Sequence, residues 1–110
     1  MYRGTTPTIQ VNLSNVDFTN VSELWFTISQ LGRVIINRDL DEVTIEDTTI
    51  SVTLTQEETL ALRANANTRL QIRILMADGC AMATPVVKLD VNGILKDGVI
   101  GEVEVDGGGR

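Results

Sequence analysis

Alternation with a period of two restricts the fold of this chain more than any single residue does. In Thr8-Ile9-Gln10-Val11-Asn12-Leu13 the apolar residues Ile9, Val11 and Leu13 take every second position. Successive side chains of an extended strand point to opposite faces, so such a segment lays one face on a core and the other on solvent. Ser22 to Gln30 repeats the pattern, with Leu24, Phe26 and Ile28 on one side and Trp25 and Thr27 on the other. Thr68 to Met76 is the most regular run. Leu70, Ile72, Ile74 and Met76 alternate there with Arg69, Gln71 and Arg73. Ile50-Ser51-Val52-Thr53-Leu54 alternates cleanly and is rich in β-branched residues that suit a pleated surface. Shorter extended runs are Val34-Ile35-Ile36 and Val43-Thr44-Ile45.

Turn chemistry separates these runs. Leu31-Gly32-Arg33 is a turn candidate that would pair its flanking runs, and Asn37-Arg38-Asp39-Leu40-Asp41 has the composition of a loop. Asp47-Thr48-Thr49 reads as a turn into the next strand. The period breaks at Thr55-Gln56-Glu57-Glu58, where the Thr55 hydroxyl and the Glu58 carboxylate can cap a helix reciprocally. The spacing predicts one short helix over 56–63, ended by Asn65-Ala66-Asn67. Asp78-Gly79 predicts a two-residue hairpin turn with positive φ at both positions. Cys80 to Val91 should return antiparallel, with Val87, Leu89 and Val91 in one apolar row. Pro85 cannot donate a ladder hydrogen bond, which places an edge or a bulge there. The expected fold is all-β: an immunoglobulin-like antiparallel β-sandwich of about seven strands and one short helix. Residues 1–101 form the sandwich domain, and 102–110 a C-terminal tail that is flexible or ordered by a partner.

Composition removes most chemistry. There is no histidine, so the commonest general base and metal ligand, and every Ser-His or Cys-His nucleophile pair, are missing. Fifteen acidic and nine basic residues give a net charge of −6, and the cations do not cluster, which argues against nucleic acid as a partner. No apolar run reaches the ~20 residues that span a bilayer, so no membrane partner is expected. The polar start Met1-Tyr2-Arg3-Gly4-Thr5-Thr6-Pro7 is not a signal peptide. Gly93, Gly98 and Gly101 do not form a phosphate loop, and with one Trp, one Tyr and two Phe there is no stacking platform. Asp39, Asp41, Glu42, Glu46 and Asp47 read as a solvated acidic face. Asn37-x-Asp39-x-Asp41 departs from a calcium loop, with Glu42 at the glycine position and Thr48 at the last ligand. The expectation is no enzyme, no cofactor, no metal and no small-molecule substrate. Cys80 is alone, so no internal disulfide can form, and a reducing compartment suits it.

What remains points to protein contact. Trp25 lies opposite Leu24 and Phe26 and is a candidate interface anchor. The tail segment Glu102-Val103-Glu104-Val105-Asp106 alternates like a strand able to join a neighbour's sheet edge. Candidate interface residues are therefore Trp25, Glu102, Val103, Glu104 and Val105.

Several segments taken together resemble small prophage structural proteins of Firmicutes. They are Tyr2-Arg3-Gly4-Thr5-Thr6-Pro7-Thr8-Ile9, Leu54-Thr55-Gln56-Glu57-Glu58-Thr59-Leu60, Leu70-Gln71-Ile72-Arg73-Ile74, and Ala77-Asp78-Gly79 with Ala83-Thr84. They are similar to the N-terminal domain of phage baseplate upper proteins, over roughly Tyr2 to Ile100. The resemblance implies an immunoglobulin-like sandwich present in many copies on a virion, with no catalytic residues. The expected function is a non-enzymatic phage or prophage virion component of the tail, baseplate or head decoration. It would be made in the bacterial cytoplasm and would assemble with other virion proteins or with itself. The alternative is an immunoglobulin-like binding module for a carbohydrate or peptide ligand.

Overall fold

The alternating segments pair into two antiparallel sheets in the computed structural model, which describes residues 1–101. The strands are β1 (Thr8–Asn12), β2 (Val21–Gln30), β3 (Arg33–Asp39), β4 (Thr44–Glu46), β5 (Thr49–Thr53), β6 (Thr68–Met76), β7 (Ala81–Ala83) and β8 (Val87–Leu89). The smaller sheet has the order β1-β5-β4. The larger runs β3-β2-β6, and β7 and β8 both pair with the free side of β6. The chain changes sheet between β1 and β2, between β3 and β4, and between β5 and β6. This is an antiparallel β-sandwich with its helix at the last of those crossings.

Alternation decides what lies between the sheets. Leu24, Phe26 and Ile28 from β2 and Leu70, Ile72 and Ile74 from β6 meet Ile50 and Val52 from β5, all of them buried. Leu54, Leu62 and Val91 close the same core at the helix end. Full burial of one such side chain contributes about 1.5–3 kcal/mol, so the two central strands dominate the packing energy. Ile9 and Val11 are only half-buried because β1 is an edge strand.

Two hairpins organise the larger sheet. Gln30 faces Arg33 across a two-residue turn, and Leu31 and Gly32 both have positive φ, 53° and 79°. That is the turn geometry whose twist matches the flanking strands. β3 continues past the apolar run through Asn37, Arg38 and Asp39, with Ile35 as an extra residue between Val34 and Ile36. The second hairpin differs from expectation. Asp78 keeps an ordinary φ, and Gly79 alone is left-handed at 92°. The Gly79 and Met76 amides donate to the Met76 and Cys80 carbonyls at 2.9 and 2.8 Å, enclosing a three-residue loop of Ala77, Asp78 and Gly79. A type I turn followed by a left-handed glycine is the usual three-residue solution.

Two further details differ from the expected run of the chain. The return strand is split in two, which brings the described residues to eight strands, in keeping with the expected number of about seven. Arg73 faces Ala83 and Leu70 faces Val87, so the return strand spends one extra residue around Pro85 and Val86. Proline at this edge cannot donate, and the bulge absorbs it. The helix α1 (Gln56–Leu60) is shorter than 56–63. Its capping box forms as expected, with the Thr55 hydroxyl accepting from the Glu58 amide and the Glu58 carboxylate from the Thr55 amide. A non-local partner takes its last carbonyl and one just beyond it: the Arg3 guanidinium donates to Leu60 O and Leu62 O at 2.8 and 2.6 Å. Asn65 has positive φ, 61°, and its amide donates to Val91 O, so the chain turns toward β6 instead of winding on.

Candidate interaction surface

The two outer faces of the sandwich differ sharply in chemistry. The smaller sheet shows solvent a ladder of short polar side chains. Thr8 and Thr53 hydroxyls meet at 2.7 Å, Gln10 donates to Ser51, and Asn12 donates to Thr49. These groups satisfy one another across the strands and offer no anchor.

The larger sheet carries Trp25. β2 buries Leu24 and Phe26, so the period of two turns Trp25 outward, and it is 49% exposed. Register fixes its neighbours: Asp39 stands beside it on β3, Arg73 on β6, and Ala83 next to Arg73 on β7. The Arg73 guanidinium lies over the indole, 5.5 Å from the ring centroid, within cation–π range. One residue pair further along the same face lie Glu23, Leu75 and Ala81. A cleft of about 210 Å³ opens here, lined by Glu23, Trp25, Arg73, Leu75, Ala81 and Met82 among others. Its opening leaves apolar side chains wet, and their burial against a partner would be favourable.

No protein-family model matches the chain, and no curated protein matches its sequence.

Polar groups elsewhere serve the fold. Arg38 is the centre of one network: its guanidinium meets Glu58 through two bonds of 2.9 and 2.5 Å and donates to Glu42 O and Thr53 O, each at 3.0 Å. The pair ties β3 to α1 and to the end of β5. Hydrogen bonds from Arg38 hold the Glu58 carboxyl below its ordinary range, assisted by the Thr55 amide and opposed by partial burial. The same bond raises the Arg38 pKa further. Asp39 and Glu42 cap the 3₁₀ turn Leu40–Glu42 reciprocally, so the residues likened to a calcium loop have a structural use. Asp17 caps the turn Phe18–Asn20, and bonds from Thr19 and Asn20 lower its pKa. Among the described residues no helix is long and apolar enough to cross a membrane.

Of the residues expected at an interface, Trp25 is exposed on an open sheet face. Glu102, Val103, Glu104 and Val105 lie outside the described residues. Cys80 is exposed beside the β6–β7 loop. Sequence reasoning singled out Trp25 but not Asp39, Arg73 and Leu75, which share its face. The alternation of β6 already set Arg73 outward, whereas nothing local predicts that Asp39 shares its row.

Proposed function

We propose that this chain is a non-enzymatic phage or prophage virion subunit that works by protein–protein assembly. The observation that carries the assembly reading is the half-exposed Trp25 beside an open cleft on a rigid sheet, the arrangement from which interface anchors are built. The virion assignment rests on the resemblance of the Tyr2–Ile9, Leu54–Leu60 and Leu70–Ile74 segments to prophage structural proteins. The sandwich core fixes strand edges and faces, so the subunit can present the same surface in every copy of a symmetric assembly. Residues whose chemistry could serve a reaction, such as Glu42 and Glu58, are engaged as caps and in an ion pair.

Light scattering on the full chain beside a version ending at Gly101 tests the assembly reading. A defined oligomer supports it, and loss of that oligomer on truncation assigns docking to Glu102–Asp106. A monomer that also fails to bind tail, baseplate or capsid proteins encoded beside it refutes it.

A second reading draws on the same cleft: an immunoglobulin-like module that takes a carbohydrate or peptide beside Trp25. Quenching of Trp25 fluorescence by a soluble oligosaccharide or peptide would favour that reading over assembly.

A further inference from the structure

The outer face of the larger sheet is self-complementary. Across one row stand Asp39 on β3, Trp25 on β2 and Arg73 on β6, an acid, an aromatic and a base. Adjacent strands lie about 4.8 Å apart, so the acid and the base belong to the strands on either side of the indole's strand. Neither charge forms an ion pair among the described residues, where the pairs are Arg3–Asp97 and Arg38–Glu58; Asp39 Oδ1 caps the Leu40–Glu42 turn, and Arg73 stacks on Trp25. We propose that this face binds a second copy of the chain through a two-fold axis running parallel to β2 above Trp25. The proposal rests on the assembly reading and names its surface.

The row selects the axis. Rotation about a line parallel to β2 exchanges left and right, which sets each Arg73 opposite the other copy's Asp39 and brings the two Trp25 side chains together over their clefts. A two-fold axis along the row would set Arg73 against Arg73 and Asp39 against Asp39, which like-charge repulsion disfavours. The contact is isologous, so every interaction off the axis occurs twice. Wet apolar surface at Trp25, Leu75 and Ala81 supplies the driving force, while the reciprocal charge pairs set orientation. The same rotation places Glu23, two residues along β2, facing its own counterpart. Neutralising Glu23 therefore tightens the contact.

The chain has one tryptophan, so its emission reports this surface directly. The experiment is a concentration series on the full chain, followed by tryptophan fluorescence and sedimentation velocity, with Arg73→Glu, Asp39→Arg and Glu23→Gln beside the parent. Far-UV circular dichroism checks that each variant is folded. The parent is expected to dimerise with a blue shift of emission that grows with concentration. Arg73→Glu and Asp39→Arg should each weaken dimerisation about tenfold or more, because two pairs reverse sign together. Mixing those two variants should restore it, since every cross-interface pair in the mixed dimer is attractive. Glu23→Gln should tighten it a few-fold. An oligomer that persists unchanged in Arg73→Glu overturns this interface and leaves the assembly reading standing on another surface. A parent that stays monomeric overturns self-association. Emission that is blue at every concentration overturns the second copy as occupant, because the chain then covers Trp25 itself.

Discussion

Replacing Glu58 tests whether a local capping motif and a long-range ion pair act through the same carboxylate. Glu58 accepts from the Thr55 amide at 2.9 Å and from Arg38 at 2.9 and 2.5 Å. The Arg38 and Glu58 side chains are 15% and 24% exposed, which places the pair between a solvent-screened surface bridge and a buried one. Exposed pairs contribute about 0–1 kcal/mol, and breaking a buried pair costs about 3–5 kcal/mol. We assign about 1.5 kcal/mol to the pair and about 0.5 kcal/mol to the Thr55 amide bond. Glu58→Ala should therefore cost about 2 kcal/mol, or about 8 °C in Tm for a domain of this size. Glu58→Gln keeps an acceptor for Thr55 and should cost only the pair's share, about 1.5 kcal/mol.

The pH dependence has a definite sign. The folded-state pKa of Glu58 lies below its ordinary value of 4.5, first because Arg38 bonds to the ionised form. Its contribution is complete above that ordinary value and is lost as pH falls through the depressed one. Urea unfolding of the parent, Glu58→Gln, Arg38→Met and the double variant measures the coupling. It should be about 1–1.5 kcal/mol at neutral pH and shrink in acid below the depressed pKa. Coupling under about 0.3 kcal/mol at neutral pH, or coupling that does not change in acid, would refute the reasoning.

Two further substitutions probe positions where the backbone depends on one side chain. Gln30 is buried, its amide donating to Arg63 O and Thr68 Oγ1 at 2.9 Å each while its carbonyl accepts from the Arg63 amide at 2.8 Å. Gln30→Leu leaves those groups unpaired and should cost about 2–4 kcal/mol by urea unfolding; a loss under about 1 kcal/mol would show that water replaces the amide. Leu31 holds a φ of 53° with its side chain 63% exposed, so it carries left-handed strain and gives little packing in return. Leu31→Asn should raise stability by about 0.5–1 kcal/mol, read as a higher Tm; a lower Tm would mean that the leucine makes a contact worth more than the strain.

Features that depend on residues close together in the chain are legible in the sequence alone. The inward rows of β2 and β6 follow from alternation, since the period of a strand assigns each side chain to a face whatever the strand pairs with. The Thr55–Glu58 capping box spans four residues and forms as read. Pro85 announces a disruption because its missing N–H is a property of the residue itself. The outward direction of Trp25 belongs to the same class.

Other features exist only because distant segments meet. Asn37, Arg38 and Asp39 have loop composition, yet they extend β3 because β2 continues beside them and Thr27 donates to Asn37 at 2.6 Å. At the end of the helix Arg3, far away in sequence, takes the Leu60 carbonyl. Gly79 alone turns left-handed because the Met76–Cys80 pair closes a three-residue loop. The Arg38–Glu58 pair and the Asp39–Trp25–Arg73 row join strands that the chain visits far apart. The sequence by itself determined which face of each strand is apolar and where the chain can turn, because those depend on local geometry. The tertiary structure alone decided which strands are neighbours and in what register, and with that which charges flank Trp25, because pairing energy depends on the partner strand as much as on the segment itself.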